Sequence, residues 1–463
     1  MNQRLATGAA TKPGRRQRHF GARRPVSAFE FLQRVRDSAT GIYTPESFAI
    51  DYGIRRLGLQ RFVLLNHPDY IKHVLVTNHA NYEKGRLTRQ ILGPVLGQGL
   101  LTSEGALWRR QRRIAAPAFQ HRRLTGLTET MVDCAARTAD RWRQPAAEGA
   151  TFDVAREMSA LTMEIVARTL FGSDITDRVG DLRGAIADIL RGIGQPNPMD
   201  LLGLPEWLPR RQDPGARGAM RRVNKMVGDI LKTRRKAAVD KPDLLGMLLA
   251  ARDPDTGEAM SDRQLRDEIL TLFAAGHETT ANGLTWTWYL LSEHPEVRDR
   301  LEAEIDATLG GRTPAYEDLE RMPYGRMVFE EALRLYPPAF ALNRVALAPD
   351  RIGPVEIRAG DLVSISPYVT HRNPKLWPDP ERFDPDRFLP NAVAKRPKFA
   401  YFPFGGGPRI CIGNNFAMIE ARLALATLAQ RYRLSLVDGH PVVPYGRVTL
   451  RPRYGLKMRV EER

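Results

Sequence analysis

Cysteine is nearly absent from this chain: among 463 residues only Cys134 and Cys411 occur. Two thiols exclude a disulfide framework and point to a reducing compartment. Long apolar runs are missing as well. No stretch approaches the roughly 20 apolar residues that cross a bilayer, so no transmembrane anchor is expected. Acidic residues are missing from positions 1–24, which hold seven basic ones (Arg4, Lys12, Arg15, Arg16, Arg18, Arg23 and Arg24) out of a chain whose formal net charge is +17. That tail reads as a disordered basic arm, and its composition also suits an import signal or contact with anionic lipid. No internal repeat is found, nor any Gly-rich dinucleotide or flavin segment in a strand–helix–strand setting.

What is present suffices for a sizeable core, since 43% of residues are aliphatic or aromatic. The pattern is mostly helical. Strand-rich parts fall around Ile54–Leu65, Arg344–Ser366 and the last forty residues, including Val442–Met458. Length alone suggests about three domains. The informative motifs nevertheless run from Trp108 to Cys411 and must converge on one site, so residues 25–463 are expected to form one large domain after an arm at 1–24. Gly192–Gly218, rich in proline, and Ala250–Met260, with Asp-Pro-Asp-Thr-Gly, read as mobile loops. Cys134, in a helical stretch, reads as a small packing residue.

Four segments carry chemistry. In Phe404-Gly-Gly-Gly-Pro-Arg-Ile-Cys411-Ile-Gly413 the glycines and proline make a tight turn that lets backbone approach a flat ligand, and a helix starts after Gly413. The sulfur then lies near a helix N-terminus, where free N–H groups and the charge of Arg409 favour thiolate over thiol. A long helix is expected from Ser261, with Gln264 completing a capping box, to just before Pro295, about 50 Å in all. Its centre reads Ala274-Ala275-Gly276-His277-Glu278-Thr279-Thr280. Glycine in mid-helix costs about 1 kcal/mol and signals close approach of a ligand. Thr279 can bond back to the carbonyl of Ala275 and open a groove, while His277 reads as helix surface. In the third segment Glu331 and Arg334 share a helix face ahead of Pro337 and Pro338, and either Arg382 or Arg387, each followed by phenylalanine, can join them. In the fourth, Trp108 and Arg112 share one face of an arginine-rich helix, and Arg109 and Arg113 share another.

In order and register these segments resemble the cytochrome P450 family. The resemblance implies a mainly α fold with a smaller β-rich region, in a single large domain. Cys411 would be the axial ligand of a haem b iron, with Phe404 packed against the sulfur and Gly413 in the same loop. Trp108, Arg112, Arg344 and Arg409 would meet the haem propionates, and Ala275 and Gly276 would face the iron. Glu278 and Thr279 would be catalytic, handling protons and dioxygen. Register favours Arg387 over Arg382 in a structural triad with Glu331 and Arg334, with Asp386 replacing the usual Glu. Leu100, Leu101, Leu272, Phe340 and Val448 fall at substrate-pocket positions, and Leu204-Pro-Glu-Trp-Leu resembles a lid.

The implied activity is that of a haem-thiolate monooxygenase. It would hydroxylate or epoxidise an apolar small molecule, lipid or terpenoid-like, using O2 and electrons from a separate ferredoxin or flavodoxin-like donor with its reductase. Arg109 and Arg113 would steer that acidic partner. A peroxide-using or rearranging haem-thiolate enzyme and a haem-based sensor or carrier are the alternatives. Nucleic acid is not an expected partner despite the charge, because no motif for it accompanies the basic residues. A monomer in the bacterial cytoplasm is expected, ahead of mitochondrial import.

Overall fold

The 32-residue helix at the centre of the sequence is also the centre of the fold. In the computed structural model, which describes residues 33–34, 37–57, 60–172, 214–237 and 243–463, it runs Asp262–Glu293. Ser261 caps it: its Oγ accepts from the Gln264 N–H at 3.3 Å, and Gln264 Oε1 accepts from the Ser261 N–H at 3.0 Å. The longer helices are α1 (Arg86–Leu96), α2 (Gly105–Ala115), α3 (Thr128–Ala147), α4 (Val154–Phe171), α5 (Pro214–Ala237), the central α6 (Asp262–Glu293), α7 (Pro295–Leu309), α8 (Pro323–Leu335) and α9 (Asn414–Ala429). α6 is buried on most sides, packing against α4, α8 and α9. It therefore carries few of the charged faces a surface helix shows.

The smaller β region lies beside this bundle. β1 (Tyr52–Leu57), β2 (Gln60–Leu65), β3 (Tyr82–Glu83), β5 (Leu342–Ala346) and β8 (Leu362–Ile365) form one sheet in the order β1-β2-β8-β5-β3, with β2 and β8 parallel. Pro337 and Pro338 stop α8 and turn the chain into β5, where Arg344 pairs with Val363. β4 (Thr151–Asp153), β12 (Lys457–Glu462) and β9 (Tyr432–Leu436) make a second sheet. β6 (Asp350–Ile352) pairs with β7 (Val355–Ile357), and β10 (Pro444–Gly446) with β11 (Leu450–Pro452). The last of these hairpins brings the C-terminal region onto α6.

Two expected loops read differently. The basic arm, the Leu204–Leu208 segment and the rest of 192–213 lie outside the described residues. Pro214–Gly218, however, belongs to α5, because proline at the first helical position already has the right φ and lacks only an N–H that would be unpaired there. The Ala250–Met260 loop is tied down: Asp253 is buried, its N–H donates to Glu258 O at 2.9 Å, and its carboxylate accepts from Arg113 at 3.1 Å. Cys134 is fully buried in α3.

Candidate active site

The cysteine loop is closed by backbone: the Cys411 N–H donates to Phe404 O at 2.9 Å, and α9 starts three residues later. Gly405 and Gly407 have φ of 74° and 68°, the left-handed region that favours glycine. At Gly407 a Cβ would come within 1.8 Å of the Leu75 carbonyl oxygen, so no other residue fits. The Cys411 side chain is accessible yet set deep in the protein. Burial pushes its thiol pKa up, while the Gly413 N–H and the charge of Arg112 pull it down. The charge acting on the sulfur is that of Arg112, where the sequence pointed to Arg409.

Arg409 is occupied elsewhere. It forms an ion pair with Glu104, donates to Ser103 O at 3.2 Å, and lays its guanidinium over the Trp108 ring, 4.1 Å from the centroid. Arg344, 8% exposed, donates to the Asn343 carbonyl at 3.0 Å. Burial pushes its pKa down to about 10; the charge of Arg409 pushes the same way and Glu104 opposes. Lys84 joins this group, its Nζ on Leu101 O at 2.7 Å, with its pKa pushed down to about 7 by burial and by the charges of Arg409 and Arg344. Arg112, half-buried, has no hydrogen-bond or ion-pair partner among the described residues.

Arg344, Arg409 and Lys84 outnumber the carboxylates of Glu104 and Glu83, with Arg112 close by at Cys411, an excess that is relieved by further negative charge or, at Lys84, by loss of its proton. The two propionates of a haem would supply that charge, and guanidinium groups bind carboxylates in bidentate fashion. Among the described residues no group of three or more His, Cys, Asp or Glu could hold a bare ion. The residues present fit a haem. Sequence reasoning missed Lys84, which has no motif around it. It also missed Glu104, although an acid at the start of an arginine-rich helix is a readable signal.

On α6, Ala275 is exposed between buried Phe273 and His277, which marks an opening in an otherwise covered helix. Thr279 Oγ1 donates to Ala275 O at 2.6 Å and Thr280 Oγ1 to Gly276 O at 3.1 Å, two back-bonds of the kind that bend helices. Two expectations need correction here. Gly276 points its missing side chain at α4, where a Cβ would meet Val166 at 3.2 Å, so close helix packing accounts for the glycine without a ligand. His277 is not surface: it is 2% exposed, its Nδ1 lies 3.0 Å from Phe273 O, and burial pushes its pKa down. Glu278 Oε1 accepts from Thr449 Oγ1 at 2.7 Å, and Thr449 accepts from Asn282 Nδ2 at 3.1 Å. No sequence motif announced Thr449.

Of the apolar candidates, Leu100 is buried, its N–H donating to Glu268 Oε2 at 3.0 Å. Leu101 and Leu272 are half-buried, and Phe340 is buried against the β10–β11 hairpin at Gly446. Val448 is exposed in the turn of that hairpin.

Residues 54–458 match the cytochrome P450 family. The chain belongs to that family. It is 39% identical over 399 residues to cyclooctatin synthase of Streptomyces melanosporofaciens, covering 85% of each chain. To cyclooctat-9-en-7-ol 5-monooxygenase of the same organism it is 37% identical over 388 residues, covering 83% of this chain and 82% of that one. Among solved structures, the haem domain of cytochrome P450DA superposes with a TM-score of 0.81 at 28% identity, covering 94% of this chain and 93% of that one. The protein is a cytochrome P450 monooxygenase, a haem-iron enzyme with a thiolate ligand that acts on small substrates with O2 and a redox partner. No helix among its described residues is long and apolar enough to cross a membrane.

The P450 carries its buried ion cluster below this site. Arg334 and Glu331 have no exposed side-chain surface; Arg334 Nε lies 2.6 Å from Glu331 Oε2, and Arg387 Nε 3.4 Å from Oε1. Arg382 contributes only its carbonyl, at 3.0 Å from Arg334 Nη2, alongside the carbonyls of His371 and Pro380. Burial pushes the Glu331 pKa up against these cations. Arg334→Ala would strand a buried carboxylate and three carbonyls, so a loss of about 3–5 kcal/mol is expected, measured by chemical denaturation. Arg334→Lys should recover only part of it, because a single ammonium cannot reproduce the fork. On α2, Arg113 pairs with Asp253 and, at 2.9 Å, Asp255. Arg109 remains exposed.

Proposed function

We propose that this P450 oxidises a terpenoid-like hydrocarbon skeleton, hydroxylating or epoxidising it. Cys411 supplies the thiolate, and Trp108, Arg112, Arg344 and Arg409, with Lys84, hold the propionates of haem b. The excess of buried cation beside a lone accessible cysteine carries the reading, because it fits a dianionic flat cofactor and little else. When bound, the haem supplies the dioxygen chemistry and its oxidising equivalents. The chain positions the substrate and moves protons. Ala275 leaves the opening on α6, Thr279 and Glu278 stand beside it, and Leu100, Leu101, Leu272 and Phe340 form apolar walls. The names of the two Streptomyces relatives support a terpenoid skeleton, and apolar walls suit one. Electrons come from a separate ferredoxin or flavodoxin-like carrier.

The test is a panel of cyclic terpenes, fatty acids and steroids titrated against the holoenzyme by the Soret shift, followed by product analysis with a surrogate reductase. Cyclic terpenes are expected to give the shift at the lowest concentrations and to gain one oxygen. A response confined to fatty acids would overturn the substrate assignment while leaving the haem assignment standing.

A further inference from the structure

Glu278 and Asn282 are one turn apart on α6, and Trp286 follows one turn later on the same stripe. The β10–β11 hairpin seats on that stripe at two points. Trp286 Nε1 donates to Leu450 O at 3.1 Å, and Thr449 stands between Asn282 and Glu278. Leu450 is fully buried and its N–H donates to Pro338 O at 3.0 Å, so the backbone that carries Thr449 is fixed from both sides. Thr449 itself is 6% exposed and Asn282 7%.

The order of donors matters more than the contacts. An amide nitrogen can only donate, so the Thr449 oxygen receives the Asn282 hydrogen and has one proton of its own to give. That proton goes to Glu278 Oε1 at 2.7 Å. The carboxyl is thereby held through Oε1. On the next residue, Thr279 gives its proton to Ala275 O at 2.6 Å and so presents only lone pairs to the opening. Each hydroxyl has a fixed direction.

We propose that Thr449 is a positioning residue for the reaction: it fixes the acid that resupplies protons beside Thr279, and without it Glu278 samples rotamers from which delivery fails. The proposal rests on the reading that Glu278 supplies protons. No atom of Thr449 reaches substrate or haem in this role. Its effect passes through Glu278, which separates it from a packing residue.

Thr449→Val keeps the shape and removes the donor. Haem content and substrate titration by the Soret shift should stay at parent values, while the melting temperature falls modestly because buried Asn282 Nδ2 loses its acceptor. Product formed per reductant consumed should fall about tenfold, the scale of one charge-assisted hydrogen bond, and the solvent isotope effect on product formation should rise. Thr449→Ser should restore coupling. A crystal structure of the Thr449→Val protein should show Glu278 moved off its parent rotamer. Asn282→Asp offers Thr449 a competing acceptor and should uncouple with Thr449 in place. In a Glu278→Gln background, Thr449→Val should add nothing. A Thr449→Val enzyme as coupled as the parent, beside an uncoupled Glu278→Gln enzyme, overturns the proposal and leaves the Glu278 reading intact. Equal losses in both backgrounds also overturn it, by showing a structural role. A fully coupled Glu278→Gln enzyme overturns the reading beneath.

Discussion

Cys411→Ala should abolish the thiolate signature entirely: the reduced protein treated with carbon monoxide should lose the far-red-shifted Soret band, and haem content should fall sharply. Cys134→Ala should keep both. The contrast is sharp because the loop does not depend on the sulfur for its shape. The bond from Cys411 to Phe404 O is main-chain, and Gly405 and Gly407 set the turn through their φ angles. Alanine preserves all of that, so loss of the band would report ligation and not unfolding. Cys134 cannot substitute. It is fully buried in α3, its thiol accepts from Arg137 at 3.1 Å, and burial pushes its pKa up to about 12, which leaves no thiolate near neutral pH. Retention of the thiolate spectrum by the Cys411 variant would remove the assignment of the ligand.

Helix ends and backbone turns were the legible part of the sequence because short-range rules govern them. Ser261 and Gln264 cap α6, and Pro337–Pro338 end α8, through interactions spanning three or four residues. The cysteine loop was legible for the same reason, with its glycines, proline and helix start within ten positions. Side-chain orientation around a helix was not. Gly276 and His277 were misread because nothing local announces that α4 crosses α6 there, with Thr162 Oγ1 donating to His277 O at 2.9 Å. A buried helix has no polar face to betray its orientation, so periodicity fails where packing is most complete.

Charge partners at long separation were the other blind spot. Arg113 pairs with Asp253 in a turn 140 residues later, which no local pattern announces. Lys84 and Glu104 join Arg409 across some 300 residues, and Thr449 reaches Glu278 across 171. Such pairs satisfy groups that have no choice once buried, and the requirement is visible only when burial is known. The same logic ran forward in one case. Glu331 and Arg334 are three apart, a spacing that suggested a pair, while its burial came only from the family resemblance.

Thr279→Ala should leave the enzyme folded, haem-loaded and able to bind substrate, yet turn most of its oxygen consumption to waste. Alanine is the better helix former by about half a kcal/mol, and Thr279 bonds only to the carbonyl of its own helix at Ala275, so no stability loss is expected. What disappears is the hydroxyl beside Ala275 at the opening on α6. With its proton committed at 2.6 Å to Ala275 O, that oxygen acts as an acceptor, able to hold a water or other donor in a single orientation. Without it, protons reach the pocket unaligned. Reductant and O2 should still be consumed, but the reducing equivalents should appear as hydrogen peroxide or water. Product per reductant consumed should fall about ten- to a hundredfold, at or below the low end of what a positioned proton-transfer group contributes. Thr279→Ser should restore most of it. Thr280→Ala is the control: Thr280 is 2% exposed and turned toward buried Glu420 on α9, so its hydroxyl faces packing and not the opening, and coupling should stay near the parent value. If Thr279→Ala were as coupled as the parent and Thr280→Ala were not, proton delivery would run along the α6–α9 contact through Glu420, and the roles given to Glu278 and Thr449 would pass to that buried pair.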